Sequence, residues 1–129
     1  MNQVHILVVV EDEPDIRVLI RINLTLDPRL IVEGEASNAE DAIELARSTQ
    51  PGLIILDHQL EGPMMGLDAA PLLKEAAPHA KILLFTAFDL EAEAEASPFV
   101  DAFLSKSKFA NLLEVVHQML GLEPLPAAH

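Results

Sequence analysis

Three apolar runs in this chain each stop at residues suited to phosphoryl chemistry. Ile6–Val10 runs into Glu11-Asp12-Glu13, Leu53–Leu56 into Asp57, and Ile82–Phe85 into Thr86. A shorter run, Ala102–Leu104, stops just before Ser105-Lys106. Carboxylates, a hydroxyl and a lysine in one crevice would suit a divalent cation and a phosphoryl group. Asp57 is the candidate nucleophile, since a carboxylate can attack an activated phosphate and form an acyl phosphate. Magnesium takes oxygen ligands and keeps several waters, so Asp12 and Asp57 could hold it, with Glu11 acting directly or through water. Clustered carboxylates repel one another without such an ion, so a cation is expected where they meet. Lys106 would place a compact positive charge on one phosphoryl oxygen, and Thr86 a hydrogen bond on another. Ala87 is small enough to leave the group reachable. Singly, each residue has a plainer role: acids at a helix start, a turn cap, a strand threonine, a surface lysine. Their common position at the ends of successive strands favours the joint reading.

These residues meet only if the runs are parallel strands, which would bring them to the carboxyl edge of one sheet, where open α/β sheets bind ligands. Ile6–Val10 is continuously apolar, as expected of a strand buried on both faces. Pro14 opens a helix, in a first turn where a missing N–H does no harm, and the helix is expected to run to about Asp27-Pro28. Leu30–Ala36 is a second strand, followed by a helix with a capping box of Ser37 and Glu40. After Pro51-Gly52 come the strand Leu53–Leu56, a loop over Glu61–Gly66 and a helix over about Asp68–Ala76, where Pro71 must lie in the first turn. Lys81–Thr86 is the fourth strand. Leu90–Ala96 alternates glutamate and alanine, and propensity makes it a short, weakly docked helix. Val100–Leu104 is the fifth strand, and Leu112–Leu120 a last helix stopped by Gly121. Alternating strands and helices imply an α/β fold, a parallel sheet covered on both faces. One domain over residues 1–122 is expected, with no attached output domain and a frayed tail over 123–129.

Composition narrows the function classes. The 129 residues hold 21 acids against 8 bases, a formal charge of -13, and half are apolar. So acidic a surface repels the nucleic-acid backbone, and no direct nucleic-acid binding is expected. Cysteine is absent, which excludes thiolate chemistry and disulfides. No apolar stretch is long enough to span a bilayer, and Met1-Asn2-Gln3 lacks a basic region, so a cytoplasmic protein without a membrane association is expected. The histidines, at 5, 58, 79, 117 and 129, show no metal-ligand spacing. His58 beside Asp57 reads as a solvent-facing bystander.

The segments ILVVVEDEPDIR (Ile6–Arg17), PGLIILD (Pro51–Asp57), KILLFTA (Lys81–Ala87) and DAFLSK (Asp101–Lys106) resemble the receiver domains of bacterial two-component response regulators. The resemblance covers about His5 to Leu120. It implies a flavodoxin-like (βα)5 sandwich with strand order 2-1-3-4-5. It puts the phosphoacceptor on Asp57, the acidic magnesium pair on Glu11 and Asp12, and a metal-binding backbone carbonyl on Gln59. The switch hydroxyl falls on Thr86, the switch aromatic on Phe103 and the lysine on Lys106. A sensor histidine kinase or phosphotransfer protein would supply the phosphoryl group to Asp57 with Mg²⁺, and affinity for a downstream protein target would change. Such a domain catalyses only its own phosphorylation and dephosphorylation and is not otherwise an enzyme. The segment LIVEGEASNAEDAIELA resembles receivers that are attached to a helix-turn-helix DNA-binding domain.

The chain departs from that pattern in three places. Ser107 follows Lys106 where the family has a cis proline. A non-proline cis bond costs about 3 kcal/mol, so the lysine loop is expected to rearrange. The loop HQLEGPMMG carries Glu61 near the usual proline and one extra residue, and an acid there would slow an anionic donor. The fourth helix carries Glu91, Glu93 and Glu95 where dimerising receivers carry bases. The first helix has apolar residues on more than one face (Ile16, Val18, Leu19, Ile20, Ile22, Leu24, Leu26), so it is expected to be unusually buried, with a partner or weak homodimer contact there. The alternative functions are a degenerate receiver acting as a phosphorylation-independent interaction module, and a magnesium-dependent phosphatase. The phosphatase is disfavoured because Glu11 and Glu13 occupy the spacing where its two aspartates should stand.

Overall fold

The computed structural model describes residues 4–125. The chain alternates β1 (His5–Val10), α1 (Pro14–Leu24), β2 (Leu30–Ala36), α2 (Ala39–Thr49), β3 (Leu53–Leu56), α3 (Gly66–Ala76), β4 (Lys81–Thr86), α4 (Glu91–Ala96), β5 (Ala102–Ser105) and α5 (Leu112–Leu120). The five strands form one parallel sheet of order β2-β1-β3-β4-β5, as the resemblance implies.

Each central strand sends alternate residues to opposite faces, and this divides the core in two. Val8, Val10, Ile54, Leu56, Ile82 and Leu84 pack with the alanines of α2 and α3, where small side chains let the helices approach closely. Leu7, Val9, Leu53, Ile55, Leu83 and Phe85 pack on the other face with Ile20 and Leu24 of α1 and Leu112 and Val116 of α5. The sheet is therefore covered on both sides, which is why its central strands tolerate continuous apolar sequence.

Several boundaries differ from the sequence reading, each for a tertiary reason. α1 ends at Leu24, short of the expected Asp27, because Asp27 turns inward and is fully buried against Arg29 and His117. The cap of α2 is Asn38, whose Oδ1 accepts the Asp41 amide at 2.8 Å, so the expected capping box of Ser37 and Glu40 does not form; Ser37 lies one residue before the cap and its hydroxyl donates to Glu61. α3 starts two residues early, so Pro71 lies past its first turn, inside the helix. β5 starts at Ala102 rather than Val100, since Asp101 takes the Ile82 amide with its side chain and binds Lys74.

The unusual burial expected of α1 is also corrected. Ile20 and Leu24 are buried, but Val18, Leu19 and Ile22 stand 45%, 50% and 58% exposed, and Leu26 just beyond the helix 65%. A helix against one face of a sheet can bury only one stripe, so the surplus apolar residues face outward. Of the expected frayed tail, residues 126–129 lie outside the described residues, while the Glu123 carbonyl is held by Arg29. No helix among the described residues is long and apolar enough to cross a membrane.

Candidate functional site

Strand register builds the site. Val10 pairs with Leu56 and Leu56 with Leu84, so the residues that follow each strand emerge at one level of the sheet edge. The Asp57 amide donates to the Val10 carbonyl and the Glu11 amide to that of Ala36, which continues the ladders one residue beyond the strands. Thr86 pairs with Ser105, and this sets Lys106 just past the same edge. Glu11, Asp57 and Thr86 are all buried, although each is polar. Such burial is costly unless partners compensate.

Lys106 supplies much of that compensation. Its Nζ lies 2.9 Å from Asp57 Oδ2 and 2.5 Å from Glu11 Oε1. Asp57 Oδ1, by contrast, is buried without a hydrogen-bond partner. Oxygens of Glu11, Asp12 and Asp57 all lie within 4.8 Å of one another. Three carboxylates at this spacing form an all-oxygen donor set, and with the unpartnered Asp57 oxygen they fit a hard divalent cation such as Mg²⁺.

The electrostatics carry the same sign. Burial pushes Glu11 up to about 7, opposed by Lys106 and reinforced by Asp12 and Asp57. For Lys106, burial works against the charge, but Glu11 and Asp57 outweigh it and hold the ammonium above its ordinary pKa. The pocket thus holds more negative charge than one lysine neutralises. Arg17 does not join it: its Nη1 donates to the Glu11 backbone carbonyl at 2.6 Å and its Nε faces Glu35.

The remaining expected residues are placed as follows. Phe103 is half-buried in β5, beside Leu84, against the α3 and α4 side of the core. Gln59 is exposed in the loop after Asp57. No peptide bond among the described residues is cis; the chain instead enters a 3-10 helix over Lys106–Asn111, at whose start Ser105 Oγ accepts the Ser107 amide at 3.3 Å. Lys106 reaches Asp57 from this loop without a cis bond. Glu61 turns toward Ser37, 3.1 Å from its hydroxyl.

Sequence reasoning missed His58. It is half-buried rather than solvent-facing, accepts the Leu67 amide on Nδ1 at 3.3 Å, and meets the Phe88 ring edge-on at 6.2 Å. Its adjacency to Asp57 was the one available signal.

The family model for the response regulator receiver domain matches residues 7–117. The nitrate/nitrite response regulator protein NarL of Escherichia coli K12 is 32% identical over 115 residues, 87% of this chain and 53% of that protein. The chain spans about half the length of the curated relatives it matches. Among solved structures, the response regulator domain of Thermotoga maritima CheB superposes with a TM-score of 0.81 at 19% identity, over 95% of this chain and 100% of that one, a likeness of fold. The response regulator TrrA of the same organism, in complex with Mg²⁺ and BeF, gives 0.78 at 31% identity, over 89% of this chain and 98% of that one. With the five-stranded order and the acidic pocket at its carboxyl edge, the chain belongs to the response regulator receiver domains, signalling modules of two-component systems.

Proposed function

We propose that the chain is a phosphorylation-controlled switch that accepts a phosphoryl group on Asp57. The observation that carries this reading is the Asp57 carboxylate itself, with one oxygen on Lys106 and the other buried and free. A carboxylate oxygen of Asp57 attacks the phosphorus of a phosphohistidine, the P–N bond breaks, the imidazole leaves with the electron pair, and an acyl phosphate remains. Lys106 moves its charge from the carboxylate to a phosphoryl oxygen. The Thr86 hydroxyl, which now accepts the Phe88 amide at 3.4 Å, turns to donate to another oxygen. Asp12 and Asp57, Glu11 directly or through water, and the Gln59 backbone carbonyl would hold Mg²⁺. When bound, that ion supplies charge neutralisation at the phosphoryl oxygens. Phe103 follows Thr86 inward, and the surface of α4, β5 and α5 shifts population between two states.

The donor in this reading is a sensor histidine kinase or phosphotransfer protein, and the recipient a downstream protein target. The formal charge of -13 argues against a nucleic acid as the direct partner of this domain. The phosphorylation-independent alternative rested on the Lys106-Ser107 step and the altered loop, and Lys106 meets Asp57 despite that step.

The test is intact mass after incubation with acetyl phosphate and Mg²⁺, beside Asp57→Asn. One added phosphoryl group, lost in the variant and without magnesium, is expected. No addition, together with failure to bind beryllofluoride, would overturn the reading.

A further inference from the structure

α3 opens without a side chain of its own to cap it. Its N-cap, Met65, offers no polar side chain, and the first amides of the helix need acceptors from elsewhere. His58 provides two of them. Its backbone carbonyl takes the Gly66 amide at 2.7 Å and its ring Nδ1 takes the Leu67 amide at 3.3 Å. Nδ1 is the ring atom that accepts, so the ring takes the place of a capping side chain. The same ring meets Phe88 at an interplanar angle of 84°, and the Phe88 amide donates to Thr86 Oγ1.

We propose that His58 is a positioning residue for the site, clamping the β3–α3 loop to the start of α3 and, through Phe88, to the loop that follows Thr86. The loop so held begins at Asp57 and includes Gln59, and its outer part, with Gly62 at φ +87° and Pro63, is exposed. An open cleft of about 400 Å³ lies alongside, lined by His58, Gln59, Leu60, Met65, Phe88 and Leu90. Nothing fills that space if the ring is removed, so the loop loses its stop. The hydrogen bond and ring contact stand independently of the phosphoryl reading; only their consequence for metal and phosphoryl binding rests on it.

Backbone amide exchange and Mg²⁺ titration of the full chain, both followed by NMR, separate the two. His58→Ala is expected to speed Leu67 amide exchange about five- to tenfold, as loss of a helix cap does, and to raise the Mg²⁺ Kd severalfold. His58→Asn, whose Oδ1 can accept the same amide, is expected to restore Leu67 protection. Phe88→Ala is expected to leave Leu67 protected and to speed exchange only in the loop after Thr86. Unchanged Leu67 exchange in His58→Ala would overturn the proposal, as would faster exchange with an unaltered Mg²⁺ Kd. If the unaltered chain bound no Mg²⁺, the site reading would fail, while faster Leu67 exchange would still support the clamp.

Discussion

His117 Nε2 lies 2.7 Å from Asp27 Oδ2, joining α5 to the turn after α1 across 90 residues of sequence, with both side chains buried. Arg29 completes the cluster, with its Nη2 2.8 Å from the same Asp27 oxygen and also 2.8 Å from the Glu123 carbonyl. Asp27 is held well below the usual carboxylate range, first by Arg29 and then by His117, against the opposing effect of burial. A carboxylate can only accept, so the His117 ring donates. This cluster lies outside the acidic pocket of Glu11, Asp12 and Asp57, and it fastens the helix that follows the lysine loop.

Asp27→Ala leaves Arg29 and His117 facing a buried void and is expected to cost about 3–5 kcal/mol, against about 1–2 kcal/mol for His117→Ala, in urea unfolding at pH 7. The folded-state pKa of Asp27 is depressed, so its contribution is present above the ordinary value of 3.8 and lost as pH falls toward the folded value. The gap between wild type and Asp27→Asn should therefore narrow in acid. A constant gap from pH 7 to pH 3 would contradict this account.

Glu11 predicts the opposite slope. Its folded pKa is raised from 4.5 to about 7, so in metal-free protein its contribution is fully present below 4.5 and is lost as pH rises through about 7. Thermal unfolding in chelator should show stability falling across that window, and Glu11→Gln should flatten the fall. Because a cation needs the ionised acid, apparent Mg²⁺ affinity should weaken below about pH 7, by up to tenfold per unit. A pH-independent affinity between 5 and 8 would remove Glu11 from the metal set.

Gly66 sits where a side chain cannot. A Cβ there would lie 2.1 Å from the Asp57 carbonyl oxygen and 2.8 Å from the His58 Cα, both backbone atoms that cannot yield without moving the loop. Gly66→Ala is expected to destabilise by about 2–3 kcal/mol and to abolish phosphoryl uptake on Asp57. Normal uptake, read by intact mass, would mean that the loop shifts freely.

Thr86→Ala separates chemistry from switching. Asp57 should still take up phosphate, within about tenfold of the wild-type rate, because Lys106 and the acids remain. The beryllofluoride-induced changes in amide exchange over α4 and β5 that are expected in wild type should be lost. Retention of those changes would rule out Thr86 as the switch.

The exposed apolar residues of α1 predict weak self-association. Ile22→Asp should change stability by less than about 0.5 kcal/mol, since a half-exposed side chain loses little by becoming polar. It should also abolish any concentration-dependent dimer seen in light scattering. A wild-type monomer at high concentration, with and without beryllofluoride, would dismiss the contact.

The placement of the site residues was legible in the sequence because it depends on which residue follows each strand. Continuous apolar runs mark buried parallel strands, and their ends must share one edge, so Glu11, Asp12, Asp57, Thr86 and Lys106 were set together without coordinates. Helix boundaries were less legible, because distant partners overrule local signals. Ser37 was a sound cap by its local spacing, but the helix opens one residue later on Asn38, and Asp27 was a helix end until His117 drew it inward. A helix apolar on several faces does not say which face meets the sheet, so only packing could expose Val18, Leu19 and Ile22. His58 is the sharpest case. Its neighbour in sequence placed it near the site, but its ring acts on Leu67 and Phe88, and contacts between two loops exist only once the sheet has brought the loops together.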